Sequence, residues 1–389
     1  LKSKKLSVER ESTLPISRLP LPPIYSASTL YFKSHKQFFD EQDSRLGYGR
    51  EGSPTHFHLK EALKEKETSE GVLLCSSGLS AITTTVDALI YSNARVLVAQ
   101  GVYDSTSAYF EYIKSKFNIA LLIFNPLDLD FLSQRLSEGY DLLFVEPFSF
   151  MQYSAVNIRK IAEMCKKHSV ISIIDATWCS TITANPLQLG FDAVVHSCTK
   201  FISGTSDTFL GAIAANEPVL SLLEKHAELS GDFVSAHDVY GTLRGIKTLN
   251  IRYYTQSKSA EVVAKRLNDS AVISSIEGAN VFYPTFSSSY CNDYGYKNTD
   301  LGGSLIFIEL PWMSKYNLEL FFQELNLIKC GYSWGGTETL VLYKLESERS
   351  EHSNNQKKQS LVIRLHVGLE EPKEIFNEIE CAINSLIKD

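Results

Sequence analysis

The sequence predicts an α/β fold: a large unit built on a mostly parallel, helix-covered sheet, a smaller α+β unit after it, and an N-terminal arm before it. Three observations carry this. Short apolar runs alternate with helical stretches from about residue 71 to about residue 214. A long proline-free helical pattern, Val239–Leu267, follows. Beyond it, three more apolar runs are separated and followed by helical stretches. The 389 residues suit two units of this size.

The arm comprises residues 1–46, where Pro15, Pro20, Pro22 and Pro23 keep the early part out of helix. Such a segment cannot bury itself alone and is expected to lie on the body or on another subunit. The large unit takes residues 47–247. Val72–Cys75 reads as a strand, Leu79–Ile90 as a helix, and Arg95–Ala99 and Ile119–Phe124 as buried strands flanking the helix Ser105–Lys116. Leu142–Val145 is another strand. Asn157–His168 sets Ile158, Ile161, Ala162 and Cys165 on one helical face. Val170–Ile174 is β-branched and ends in Asp175; Ala193–Val195 and Phe209–Ala214 close the series. In open α/β sheets ligands bind at the carboxyl ends of strands, so the polar residues that follow these runs are the first candidates for a site. Residues 248–389 form the second unit, with strands Leu305–Leu310, Leu340–Leu345 and Leu361–Val367. Its last helix, Glu374–Leu386, packs by a stripe of Ile375, Ile379, Ile383 and Leu386. Glu346–Ser360 is polar enough to be a solvated loop.

Composition narrows the function. Acidic residues outnumber basic ones 45 to 38, for a net charge of −7, which argues against a nucleic-acid partner. No apolar run approaches the ~18 residues of a membrane helix. The chain opens on Leu1, which reads as a trimmed start, and Leu1–Arg10 lacks the apolar core of a signal peptide. The seven cysteines include no C-x-x-C pair. The expectation is a cytoplasmic protein with reduced thiols and no metal site.

Six positions carry possible chemistry. Ser197-Cys198-Thr199-Lys200 follows a strand; a lysine flanked by hydroxyls suits a phosphorylated aldehyde cofactor, although a surface lysine is the plain alternative. Asp175 could pair with a pyridinium nitrogen or merely cap a helix. Ser76-Ser77-Gly78-Leu79, between strand and helix, could cradle a phosphate or simply cap. Tyr103 could stack on a cofactor ring or pack at a rim. Arg50, in Tyr48-Gly49-Arg50, could reach a phosphate or lie on the surface. Arg364, inside the apolar run Val362–Leu365, needs an anionic partner, from the protein or from a substrate. Together they supply every part of a pyridoxal-phosphate site.

The order and spacing of these stretches resemble the pyridoxal-phosphate enzymes of cysteine and methionine metabolism. The likeness runs from about Tyr48 to the last helix. Tyr48-Gly49-Arg50, Pro54-Thr55, Ser76-Ser77-Gly78, Ile174–Thr177, Ser197–Lys200, Gly204–Asp207 and Arg364–Glu370 carry it. Within the family, Thr55-His56-Phe57, Asp175–Trp178, Tyr332–Gly336 and Ile363–Glu370 are similar to the bacterial cystathionine β-lyase branch. The resemblance implies fold type I and cleavage of L-cystathionine by β-elimination to homocysteine, pyruvate and ammonia. A γ-type relative, and a non-catalytic binding protein on the same fold, are the alternatives. It also implies roles. Lys200 holds pyridoxal 5'-phosphate and shuttles protons; Asp175 pairs with the ring nitrogen and Tyr103 stacks on the ring. Gly78 and Leu79, with Ser197 and Thr199, bind the phosphate. Tyr48 and Arg50 reach the phosphate of a neighbouring subunit, in a homodimer or homotetramer. Ser333 and Arg364 hold the substrate carboxylate, and Trp334 and Tyr240 line its pocket. Three places depart from the family pattern. Ala176 stands where asparagine is usual, Thr205 stands where histidine is usual, and Glu146–Phe150 lacks the usual small polar residues.

Overall fold

The alternating apolar runs assemble into one seven-stranded sheet in the computed structural model, which describes residues 20–36, 38, 48–149, 154–311, 316–347 and 359–386. Most of the arm, Phe150, and the centre of the polar stretch Glu346–Ser360 lie outside the described residues.

The large unit begins with α1 (Pro54–Glu67), β1 (Gly71–Cys75), α2 (Gly78–Leu89), β2 (Arg95–Ala99), α3 (Asp104–Phe117), β3 (Ala120–Phe124), α4 (Leu129–Ser137) and β4 (Leu142–Val145). A small pair, β5 (Phe148–Ser149) with β6 (Ser154–Ala155), precedes α5 (Ile158–His168) and β7 (Ile171–Asp175). Then come α6 (Pro186–Leu189), β8 (Ala193–Ser197), β9 (Gly211–Ala215), α7 (Val219–Ser230) and α8 (Ala236–Ile246). Local chemistry explains the ends. The Asn157 side chain caps α5 by accepting from the Lys160 N–H, and its basic last turn stops at Ser169 in the left-handed region. Ile158, Ile161, Ala162 and Cys165 are all buried, as their spacing requires.

Strand order is β1-β9-β8-β7-β4-β2-β3. All neighbours from β8 to β3 run parallel, whereas β9 is antiparallel to both β8 and β1. The expected mostly parallel sheet is therefore right, with one strand inverted. The chain returns from β8 to β9 through residues 198–210 without a crossover helix, and antiparallel neighbours need none. Two expectations need correction. Ile119–Phe124 is not a buried strand: β3 is the sheet edge, and Ile123 is half exposed because no strand covers its outer side. Val239–Leu267 is not one helix: α8 ends at Ile246 and α9 starts at Leu249. Arg252 of α9 crosses that break, giving Nη1 to the Phe201 carbonyl (2.8 Å) and Nη2 to the Gly245 carbonyl (2.8 Å).

The second unit contains α9 (Leu249–Asn268), α10 (Ala271–Ser274), β10 (Asn280–Phe282), β11 (Leu305–Pro311), α11 (Leu318–Gln323), β12 (Lys329–Cys330), β13 (Leu340–Ser347), β14 (Gln359–His366) and α12 (Pro372–Leu386). Its five strands are ordered β10-β11-β14-β13-β12. The stripe Ile375, Ile379, Ile383 and Leu386 is fully buried, about 1.5–3 kcal/mol of burial per side chain. Two apolar cores result. One centres on the large sheet; the other is gathered from α9, the small sheet and α12.

Candidate active site

The parallel strands bring their carboxyl ends to one edge of the large sheet. Gly78 follows β1, Tyr103 follows β2, Glu146 follows β4, Asp175 ends β7, and Ser197–Lys200 closes β8. The Lys200 turn is fixed by backbone hydrogen bonds from Lys200 N–H to the Ser197 carbonyl (3.1 Å) and from Gly204 N–H to the Lys200 carbonyl (2.9 Å). Lys200 Nζ donates to Ser333 Oγ at 3.0 Å and lies 5.5 Å from the Trp334 ring centroid. Burial, and then the charge of Arg364, pull the amine down to about 8, against the attraction of Asp175. Cys198, inside this turn, is buried, and burial pushes its thiol up.

Burial pushes the Asp175 carboxyl up, while hydrogen bonds from Thr177 and the charges of His196 and Lys200 draw it back. Thr177 is the clamp. Its N–H and its hydroxyl both donate to Asp175 Oδ1, at 3.0 and 2.5 Å, and its Oγ1 accepts from Ser197 N–H at 2.8 Å. One side chain thus ties β7 to the lysine turn. Burial and the nearby charge of Asp175 push Glu146 well above the usual carboxylate range, and its Oε1 accepts from Tyr103 N–H at 2.7 Å. On β8, His196 and Glu67 form a buried pair at 2.7 Å. Burial opposes its charge, yet the charge and hydrogen bond of Glu67 hold His196 above its ordinary value.

At the start of α2, Ser77 Oγ accepts from Ser80 N–H at 3.0 Å. The N–H groups of Gly78 and Leu79 have no acceptor within the helix and suit an anion. Gly78 must be glycine here: a Cβ would lie 2.5 Å from Ser197 Cβ. Thr199 Oγ1 accepts from Leu210 N–H (3.0 Å), which holds the hydroxyl beside this edge. Asp232 closes the far side, accepting from Ser76 N–H (3.1 Å) and Ser80 Oγ (2.5 Å).

Arg364, on β14, comes from the other unit. Its Nη2 donates to the carbonyls of Tyr332 (2.7 Å) and Ser333 (3.3 Å). Its Nε is buried without a partner among the described residues, in a guanidinium near enough for its charge to act on Lys200. The sequence expectation that this arginine needs an anion is thus met by carbonyl dipoles only. Tyr103 is largely exposed at the N-terminal end of α3. Tyr48 and Arg50 do not join the cluster: Arg50 Nη1 donates to the Glu228 carbonyl (3.2 Å) at the end of α7. Tyr240 sits half-buried on α8, and no described contact links it to Lys200, Ser333 or Arg364.

The family model for Cys/Met metabolism PLP-dependent enzymes matches residues 8–384. The chain belongs to that family. Pyridoxal phosphate is therefore its cofactor, and the residues of this Cys/Met metabolism PLP-dependent enzyme fit the group. A glycine-floored helix start lies against the Ser197 side chain, and a buried carboxylate stands within the field of a depressed lysine. The chain is 27% identical over 377 residues to cystathionine beta-lyase of Haemophilus influenzae, covering 94% of this chain and 93% of that one. It is 25% identical to L-methionine gamma-lyase of Porphyromonas gingivalis, over 94% and 92% of the two chains. A crystal structure of cystathionine gamma synthase from Xanthomonas oryzae pv. oryzae superposes with a TM-score of 0.81 at 24% identity, covering 94% and 93% of the two chains. No described helix is long and apolar enough to cross a membrane, and no described group of three or more His, Cys, Asp or Glu is placed to hold a metal.

Sequence reasoning assigned no role to Thr177, the Glu67–His196 pair, Asp232 or His366. Thr177 and His366 stood inside the motifs already quoted. Their polar side chains on otherwise apolar strand ends were the available signal. Asp232 and Glu67 gave none, because only the fold brings them to this edge.

Proposed function

We propose that this enzyme is a carbon–sulfur lyase that cleaves L-cystathionine at Cβ. The observation that carries the reading is the Lys200 amine, 3.0 Å from Ser333 and beside the Trp334 ring, with the charge of Arg364, whose buried Nε has no partner among the described residues, acting on it. Arg364 and Ser333 would bind the substrate α-carboxylate, and Trp334, packed edge-on against Phe201, would wall the pocket. When bound, pyridoxal phosphate supplies an electron sink for the charge left at Cα. Asp175 would hold the proton at the ring nitrogen. Lys200 Nζ, neutral, would take the Cα proton and pass a proton to the departing sulfur. With one water consumed, the products balance as homocysteine, pyruvate and ammonia. Identifying the keto acid formed from L-cystathionine tests this: pyruvate is expected, and 2-oxobutyrate with cysteine would overturn it. That second outcome belongs to a γ-type reading, which the likeness to L-methionine gamma-lyase supports.

The depressed amine gives a pH test. Only neutral Nζ adds to an aldehyde, so the rate at which the cofactor-free protein takes up pyridoxal phosphate rises with pH. Its midpoint is expected near the amine's value of about 8, rather than near that of a free lysine. Stopped-flow absorbance across pH 6–10 reads this, and a midpoint at or above about 10 would be inconsistent with the buried, Arg364-facing amine.

Arg50, held at Glu228 away from its own cradle, supports a shared site in which Tyr48 and Arg50 serve the phosphate of a second copy. On this reading residues 47–247 form the cofactor domain and 248–389 the domain that delivers Ser333 and Arg364. Tyr103 would stack on the ring, and Tyr240 would line the pocket from a neighbouring surface.

A further inference from the structure

His366 is completely buried on β14, two residues from Arg364 and on the same strand face. Its Nδ1 is 2.7 Å from Ser304 Oγ. Its Nε2 is 3.1 Å from the Gly335 nitrogen and 3.2 Å from the Gly336 carbonyl oxygen. Burial, with the charges of Arg364 and Lys200, drives the ring down to about 3, so it is neutral and carries one N–H and one lone pair. Either tautomer bridges Ser304 on one side and the Gly335–Gly336 turn on the other.

That turn has little freedom elsewhere. Gly335 adopts a φ of +84°, and a Cβ there would lie 2.7 Å from Phe201 N and 2.9 Å from the Lys200 carbonyl carbon. Gln256 Nε2 donates to the Gly336 carbonyl at 2.5 Å. Arg364 grips the preceding carbonyls of Tyr332 and Ser333. The segment Tyr332–Gly336 is thus pressed against the backbone of Lys200 and pinned from behind by β14. Ser333 and Trp334, the two side chains that face Lys200, lead into a turn whose end is held by the Gln256 amide at Gly336 and by the His366 imidazole, which alone of the two reaches both Gly335 and Gly336.

We infer that His366 is a positioning residue for substrate recognition: by fixing Gly335–Gly336 it sets Ser333 at the depth where an amino-acid carboxylate is bound. The inference rests on the lyase-site reading above and adds to it a residue that touches neither substrate nor cofactor.

The test uses the cofactor-loaded enzyme and two ligands, L-alanine and ethylamine, which differ only in the carboxylate and have no leaving group at Cβ. Binding is followed by the cofactor absorbance change. In His366→Asn the amide stands near the Nδ1 position, so Ser304 keeps a partner while the turn loses its bonds to the ring and keeps only Gln256. In His366→Gln the amide reaches the Nε2 position and the turn keeps it. The Asn variant is expected to bind L-alanine about tenfold more weakly, the loss that goes with roughly one or two hydrogen bonds. Ethylamine binding is expected to stay within about twofold, and the Gln variant is expected to recover most of the L-alanine affinity. Ser304→Ala, which frees the ring from behind, is expected to shift L-alanine in the same direction by about threefold, and it decides the matter if His366→Asn fails to fold. The inference is overturned if these variants bind L-alanine like wild type, or weaken both ligands equally. If the wild-type enzyme itself shows no response to L-alanine, the lyase-site reading falls first, and the inference with it.

Discussion

On the proposed reading, Lys200→Ala is expected to lower turnover of L-cystathionine by at least ~10³-fold, since a single group would supply both the covalent anchor and the proton transfer at Cα. Nothing else described in the cluster can substitute. Asp175 is clamped by Thr177, Glu146 accepts from a backbone N–H, and Arg364 stays protonated although burial lowers it to about 10. Lys200→Arg should be equally silent: a guanidinium keeps the positive charge but cannot lose its proton near neutrality. The cradle of Gly78, Leu79, Ser197 and Thr199 is untouched by either change, so both variants should still retain pyridoxal phosphate through its phosphate. Steady-state assay of the keto acid, with cofactor content measured on the same samples, checks this. Turnover of the Ala variant within about tenfold of wild type would remove Lys200 from the reaction.

Arg364→Leu should cost roughly 10²–10³-fold in kcat/KM, about 3–4 kcal/mol, with most of the loss in KM. The substrate carboxylate would lose its only described guanidinium at this edge, and the Tyr332 and Ser333 carbonyls would lose their donor. Arg364→Lys should recover little, because an ammonium cannot reproduce the planar fork. A second readout has a defined sign. Arg364 is one of the causes that depress Lys200, so removing its charge should move the amine upward from about 8 and shift the cofactor-uptake profile to higher pH. A kcat/KM within about threefold of wild type, with an unmoved pH midpoint, would count against both roles.

Much of this site is written locally. Strand ends are legible because an apolar run that stops at Asp175 or at Ser197 stops for a reason visible in the residues. Parallel strands then do the rest, gathering those endings on one edge. Thus Lys200, Asp175, Gly78 and Ser197 could be placed from spacing and family likeness together. Other features depend on distance in the fold. The inversion of β9, which pairs antiparallel with β8 and β1, is a matter of strand pairing that no hydrophobic pattern encodes. The break at Lys247–Thr248 has no proline or glycine between its helices; it is set by Arg252 reaching Phe201 and Gly245. The half-exposure of β3 is a matter of sheet order, which an apolar run cannot reveal. Helix α1, by contrast, carries a readable start in Ser53-Pro54, a proline at the first helical position, yet its weak amphipathic contrast conceals the remainder.

The buried thiol of Cys198 has a consequence for an enzyme whose proposed product is itself a thiol. Once oxidised to its disulfide, such a product exchanges with accessible thiolates: the enzyme sulfur attacks one sulfur of that disulfide, one homocysteine thiol leaves, and the enzyme is left as a mixed disulfide. Here Cys198 lies in the Lys200 turn, Cys75 ends β1 and Cys179 lies in the turn that follows β7, all buried. Burial pushes Cys75 up to about 12 and the other two higher still, so thiolate is scarce where product is made. The exposed sulfurs are Cys330 and Cys381, at the outer strand and the last helix of the second unit. On the proposed reading, exchange with an oxidised product would fall on these two sulfurs, away from the lysine turn.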